Sequence, residues 1–334
     1  MKIMFGTFRY ILAVCVVITH VYPMKFQIGI FAVIGFFMIS GYVMGHLVSR
    51  YRSAGQIQYF YIDRLLRILP QYLLYLLLTQ VSLFFIKFWF FSGYFSPDFS
   101  LPAFVLNILL IPVNYFFWLP EIEKYLLIPQ AWSLGLEEQF YLIFPLIFVS
   151  PWFRRISVIL SMIVFAIGAT EVLAPEIWTY RLLPGVFFIF ILGTSLSSYQ
   201  RNRDKESLST MSFIYIFTAI LFLCMFDRAS MEFGHNREIL LAILTLFPVL
   251  IVLSLMPRRK WDDFIGKASY GIFLNHVLVY NYLQHYELFM QSYERHLVAG
   301  TIISTVVAYL SYYLVEIVAE KYRHRIRRNV FSES

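Results

Sequence analysis

A chain of 334 residues with 60% hydrophobic and 14% charged side chains and a mean hydropathy of +0.69 has too few charges to clothe a soluble surface, and reads as a chain that lives mostly in lipid. Its formal charge of +7 is carried in short Lys/Arg clusters between apolar runs, which is how membrane topology is encoded, so nucleic-acid binding is not read from it. Cys15 and Cys224 lie inside apolar runs and away from any ligand spacing, so neither a disulfide framework nor a metal site follows.

Apolar runs bounded by charges or by Pro and Gly fall at 8–22, 26–48, 68–92, 103–119, 132–153, 156–173, 181–199, 212–226, 239–256, 265–285 and 297–318. If all eleven cross, the later basic clusters face outward, against the positive-inside rule. If the run 103–119, broken by Pro112 and followed by the polar "PEIEKYLLIPQ", dips in and returns on the outer side, 20 of the 27 Lys and Arg face the cytoplasm and 7 face out. The expected fold is therefore an all-α polytopic membrane protein of about ten transmembrane helices with one re-entrant or interfacial outer segment. Both termini would be cytoplasmic. Irregular backbone at membrane depth is tolerated where protein covers it or where it borders a wet cavity, so that segment is expected to roof a site. The short loops leave no room for a soluble domain. One transmembrane domain over 1–320 and a basic cytoplasmic tail over 321–334 are expected, without a cleaved signal peptide and without an internal repeat.

Several ionisable groups interrupt the apolar runs. In "RYILAVCVVITH", Arg9 and His20 are eleven residues apart, which on a helix brings them to one face about 16 Å apart along the axis. Arg9 would sit at the cytoplasmic rim, and His20 in the outer half, where a neutral imidazole can accept a proton. The plainer reading is a snorkelling Arg and a hydrogen-bonded His. "GFFMISGY" puts Ser40 and two glycines in the inner half of the second run, where small residues more often serve packing. In "YIDRLLRILPQY", Arg64 and Arg67 share a face as i, i+3; alone they are a topology signal, and the alternative is a guanidinium fork for phosphate.

"QAWSLGLEEQFYLIFPL" opens on Trp132, consistent with an interfacial anchor, and carries Glu137 and Glu138 about 8 Å below the outer surface by helix rise. Adjacent residues point about 100° apart, so at most one of the two can address His20 well. "GKASYGIFLNH" places Ser269 and His276 seven apart on one face, with His276 near mid-membrane, either as a second polar wall or as a satisfied buried His.

Together these stretches resemble the acyltransferase-3 family of integral membrane O-acyltransferases over nearly the whole chain. The family's Arg, ten residues, His is met by Arg9 and His20, and its Phe-Phe-x-Ile/Leu-Ser-Gly by "FFMISG" with Ser40. Its Arg-x-x-Arg is met by Arg64 and Arg67, and its Trp-Ser-Leu-x-x-Glu-x-x-Phe-Tyr by Trp132 to Tyr141, which carries the family's Glu onto Glu137. The late Ser-Tyr-x-x-Tyr-Leu-x-His is met at Ser269, Tyr270, Leu274 and His276, with Phe273 where Tyr is usual, and the closing Glu at Glu316 without the Pro that commonly follows.

The resemblance implies transfer of an acyl group, most often acetyl, from cytoplasmic acyl-CoA to a hydroxyl of an extracytoplasmic or lipid-linked cell-surface glycan, in a bacterial inner membrane. Acetyl-CoA would be the donor, with no metal. His20 and Glu137 would be catalytic, with His20 taking the hydroxyl proton and Glu137 orienting His20 or the acceptor. Arg64, Arg67 and Arg9 would bind the donor. Glu138, Ser40, Trp132, Ser269, Tyr270, His276 and Glu316 would contact substrate or support the site. A transporter of a glycan or lipid-linked sugar, with the buried charges marking its path, is the alternative. A different membrane acyltransferase fold using His276 and Asn275 is a third reading, which leaves His20 unexplained.

Overall fold

The computed structural model describes residues 4–48, 51, 56–86, 99–170, 172–226, 231–289 and 292–332, and these are helical with no strand among them. In chain order the α-helices are α1 (Gly6–Val21), α2 (Ile28–Val48), α3 (Ile57–Ile86), α4 (Leu101–Ile108), α5 (Pro120–Glu123), α6 (Trp132–Val149), α7 (Pro151–Ala169), α8 (Leu183–Asn202), α9 (Lys205–Met225), α10 (Asn236–Leu255), α11 (Lys260–His285), α12 (Tyr293–Ser311) and α13 (Ile317–Ser332). The far end of the expected span 68–92, together with Lys2, Arg50, Arg52, Lys87 and Arg228 of the charge balance, lies outside the described residues.

Several helices begin before their apolar runs do, because polar caps are invisible to hydropathy. Asp204 accepts from the Ser207 N–H and Ser292 from the Arg295 N–H, each satisfying an orphan donor of a first turn. Seven helices, counted on the described residues, are long and apolar enough to cross a membrane, and α1 is a shorter apolar one. Helices α6 and α11 fall outside that set; they carry Glu137 and Glu138, and Asp262, Asp263 and Lys267.

The chain divides into two compact units. One, built on α2 and α8, comprises Lys25–Tyr61 and Leu136–Pro257. There α2 and α8 approach until their backbones touch: a Cβ on Gly41 would lie 1.8 Å from the Phe190 carbonyl oxygen, and one on Gly193 would lie 1.9 Å from that of Met38. Small residues permit such crossings in lipid, where close packing replaces the hydrophobic drive. Phe190 stacks on Phe37 at 4.7 Å and on Phe140 at 4.3 Å, filling the space beside the crossing. Helix α7 leaves Trp152, Ile156, Ile159 and Ile163 exposed in one stripe, the face expected of a helix against acyl chains.

The other unit, built on α1 and α11, comprises Met4–Met24, Ile62–Gly135 and Arg258–Ser334. Gly6 packs on Asp262 and Gly266, and His20 meets His276, so α1 and α11 run parallel in register along their whole shared length. The run 103–119 is broken. Helix α4 ends at a bend where Leu110 has φ 61, and a 3-10 helix follows over Ile111–Trp118. At about 1.5 and 2.0 Å of rise per residue, neither eight-residue piece spans the ~30 Å hydrocarbon layer.

The irregular backbone is satisfied by protein, as its burial requires. Fully buried Asn107 donates to the Ala103 and Tyr125 carbonyls at 2.8 and 2.9 Å and accepts from the Leu127 N–H, while its own carbonyl takes the Tyr72 hydroxyl. Gln130 donates to the Leu274 carbonyl at 2.7 Å, fourteen residues into α11. Trp132, at the start of α6, is only 9% exposed.

Candidate active site

Within the α1/α11 unit, His20 and His276 face each other with ring centroids 5.0 Å apart. Both rings lie near a carbonyl one turn back on their own helix: His20 Nδ1 is 2.8 Å from the Val16 oxygen and His276 Nδ1 is 3.0 Å from that of Ile272. A carbonyl can only accept, so Nδ1 carries the proton in each ring and Nε2 of the neutral ring is the bare lone pair. His20 is exposed at the end of α1, whereas His276 is 0% exposed and its Nε2 has no hydrogen-bond partner among the described residues. One ring can thus take a proton from an incoming group while the other backs it.

Eleven residues back on the same helix, Arg9 is half-buried with its Nε unpartnered among the described residues. Its charged neighbours are Arg67, Asp262, Asp263 and Glu316. Asp262, almost fully buried on α11, accepts from the Gly6 and Thr7 N–H groups at 2.8 and 2.7 Å. It caps α1 from another helix, since Phe5 at the N-cap offers no side-chain acceptor.

Arg64 and Arg67 are neighbours on α3 with different fates. Arg64 is buried and paired with Asp63, which is itself 0% exposed and also accepts from Arg327 at 2.8 and 2.9 Å and from Arg323 at 3.3 Å. Arg67, its side chain 28% exposed, donates to Glu316 at 2.5 Å and lies 5.2 Å over the Tyr270 ring. Glu316 ends a π-helical turn, Tyr312–Glu316, that joins α12 to α13.

Between the two ends runs a buried polar ladder. Gln71 and Tyr75, one and two turns beyond Arg67, both donate to Ser311 Oγ at 2.7 and 2.6 Å, and Asn275 donates to the Tyr75 hydroxyl at 3.1 Å, one residue from His276. Tyr270 donates to the Ile68 carbonyl at 2.8 Å and so ties α11 to α3, whereas Ser269 donates at 2.8 Å to the Gly266 carbonyl of its own helix.

In the α2/α8 unit, Glu137 Oε1 accepts from Ser40 Oγ at 2.5 Å and from the Tyr141 hydroxyl. Glu138 is buried beside it. Ser40 lies twelve residues into α2, so Glu137 meets that helix about 18 Å along it by helix rise.

Sequence reasoning passed over Asp63, Asp262, Tyr141, Arg323 and Arg327. The available signal was that carboxylates in or beside an apolar run need partners: "DRLLR" contains one and "KWDD" two.

A family model described as "Acyltransferase domain" matches residues 6–313. The chain is 34% identical over 205 residues to an uncharacterized protein of Aquifex aeolicus (strain VF5), covering 60% of this chain and 91% of that protein. It is 25% identical over 321 residues to a Staphylococcus aureus (strain COL) protein named "Putative O-acetyltransferase", covering 83% of this chain and 50% of that one; the like-named protein of strain MW2 gives the same figures. The chain thus spans about half the length of these Staphylococcus relatives. No solved structure matches.

Proposed function

Because the chain belongs to the acyltransferase-3 family, we propose that it transfers an acetyl group from cytoplasmic acetyl-CoA to a hydroxyl of an extracytoplasmic or lipid-linked cell-surface glycan. It would do so as a ten-span inner-membrane protein with both termini in the cytoplasm. The observation that carries this reading is the hydrogen bond from His20 Nδ1 to the Val16 carbonyl, which leaves Nε2 as a proton acceptor on the helix whose other end joins the guanidinium cluster. His20 Nε2 takes the proton of the sugar hydroxyl as its oxygen attacks the thioester carbonyl. The tetrahedral intermediate collapses with loss of the CoA thiolate, and the imidazolium returns its proton to that sulfur. An O-acetyl ester and free CoA are left.

The donor's phosphates are assigned to the Arg64, Arg67 and Arg9 end of the α1/α11 unit, since guanidinium forks match phosphate oxygens. The polar ladder supports passage of the pantetheine arm toward His20, because its side chains offer hydrogen bonds to amide groups that lipid cannot. Glu137, fixed by two hydroxyls, is assigned to orienting the acceptor.

The test is to incubate the purified protein with radiolabelled acetyl-CoA and surface glycan and to follow ester-linked label together with CoA release. Equal amounts of both are expected. Glycan movement without CoA release would instead establish the transporter reading.

A further inference from the structure

The last helix brings two further arginines, Arg323 and Arg327, onto the carboxylates that meet Arg64 and Arg67. Among the described residues, two carboxylates, Asp63 and Glu316, are ion-paired with four guanidinium groups, Arg64, Arg67, Arg323 and Arg327. Arg9 adds a fifth cation, whose charged neighbours are Arg67, Asp262, Asp263 and Glu316; Asp262 also caps the start of α1, and Asp263 also pairs with Arg258 at 2.6 Å. Glu320, on the same helix, takes the Tyr312 hydroxyl, faces His324 and is a third carboxylate near Arg323. Guanidinium groups this close to lipid are costly unless anions meet them.

Burial divides the four. Asp63, Glu316 and Arg64 are nearly sealed, whereas the side chains of Arg67, Arg323 and Arg327 are 28%, 12% and 21% exposed. Each guanidinium has five N–H donors. Arg327 spends two on Asp63, and Arg323 makes one 3.3 Å hydrogen bond to Asp63 and a 3.8 Å ion pair to Glu316. The carboxylates hold the planes of the forks and leave donors over, an arrangement suited to a ligand carrying several phosphate charges.

We propose that Arg323 and Arg327 of α13, with Arg67 of α3, form the phosphate site of the acyl donor, that Asp63 and Glu316 position their forks, and that Arg64 is a sealed counter-charge and no ligand. This inference rests on the acyl-CoA reading above. It moves the donor grip from the α3 pair onto the C-terminal helix.

The full chain is assayed with two donors, acetyl-CoA and S-acetylpantetheine, which carries the same thioester and arm without phosphates. For the R323Q/R327Q double variant, KM for acetyl-CoA should rise roughly ten- to a hundredfold, the range expected for lost charge-assisted hydrogen bonds, with a smaller change in kcat. KM for S-acetylpantetheine should stay unchanged, and an R325Q/R328Q variant, altered at exposed positions of the same helix, should match the parent on both donors. R323K/R327K keeps the charge and loses the fork, and should show a smaller rise confined to acetyl-CoA, which serves should the Gln variant not fold.

Equal losses with both donors would make the arginines scaffolding and overturn the proposal, as would an unchanged KM for acetyl-CoA. If anionic vesicles of phosphatidylglycerol stabilise the parent but not the variant while KM stays put, the occupant is a lipid headgroup and the assignment is again overturned. A parent protein that neither binds CoA nor uses either donor would refute the acyl-CoA reading itself, an outcome distinct from a variant-insensitive KM in an active enzyme.

Discussion

Replacing His20 by alanine removes an exposed ring that makes one hydrogen bond to its own helix and turns one face to His276. Loss of that bond costs at most about 1.5 kcal/mol of stability. Loss of a general base costs about 10² to 10⁴ in rate, or about 2.7 to 5.5 kcal/mol of barrier. The two effects are therefore separable. Donor affinity should be unchanged, because the guanidinium end at Arg9 lies about 16 Å along the helix. His276→Ala provides the contrast, since it empties a fully buried site and should cost about 2 to 5 kcal/mol of stability, as large-to-small core changes do. The assay is acetyl transfer at saturating donor, CoA binding by isothermal calorimetry, and thermal unfolding of the solubilised protein. His20→Ala with near-normal transfer, or with donor binding lost in parallel with activity, would refute the assignment, because the ring would then be holding structure.

Asp63→Asn should destabilise the protein by about 3 to 5 kcal/mol, since it leaves buried Arg64 without its counter-charge. Adding Arg64→Gln should recover part of the loss in a double-mutant cycle of melting temperatures. Gly135→Leu should cost about 1 to 3 kcal/mol by overpacking, because a Cβ there already falls 2.6 Å from the Leu110 carbonyl oxygen, and faster tryptic cleavage at Lys124 would report the displaced bend. Glu137→Gln should lower transfer by about a hundredfold or more with little change in melting, because an amide oxygen can still accept from Ser40 and Tyr141. Single cysteines at 124 and 232 should label from outside and those at 56, 204 and 330 from inside; finding 124 and 204 on one side would break the ten-span arrangement.

Local physics made much of this molecule legible in its sequence. Hydropathy identifies a helical membrane chain, and Pro112 marks the run that is broken into two short pieces, because both properties depend on a few consecutive residues. The shared face of Arg9 and His20 follows likewise from the repeat of a single helix.

The distant partners did not follow, because Ser40 meets Glu137 from 97 residues away and Arg327 meets Asp63 from 264, approaches that no local period encodes. Arg64 and Arg67 look like one fork by spacing, yet Asp63 seals the first while Glu316, from the far end of the chain, takes the second. Asp262 reads as the start of α11 and is also the cap of α1. Helix periodicity sets which way each ionisable group points, and tertiary packing decides which of them is neutralised and which is left able to meet a substrate.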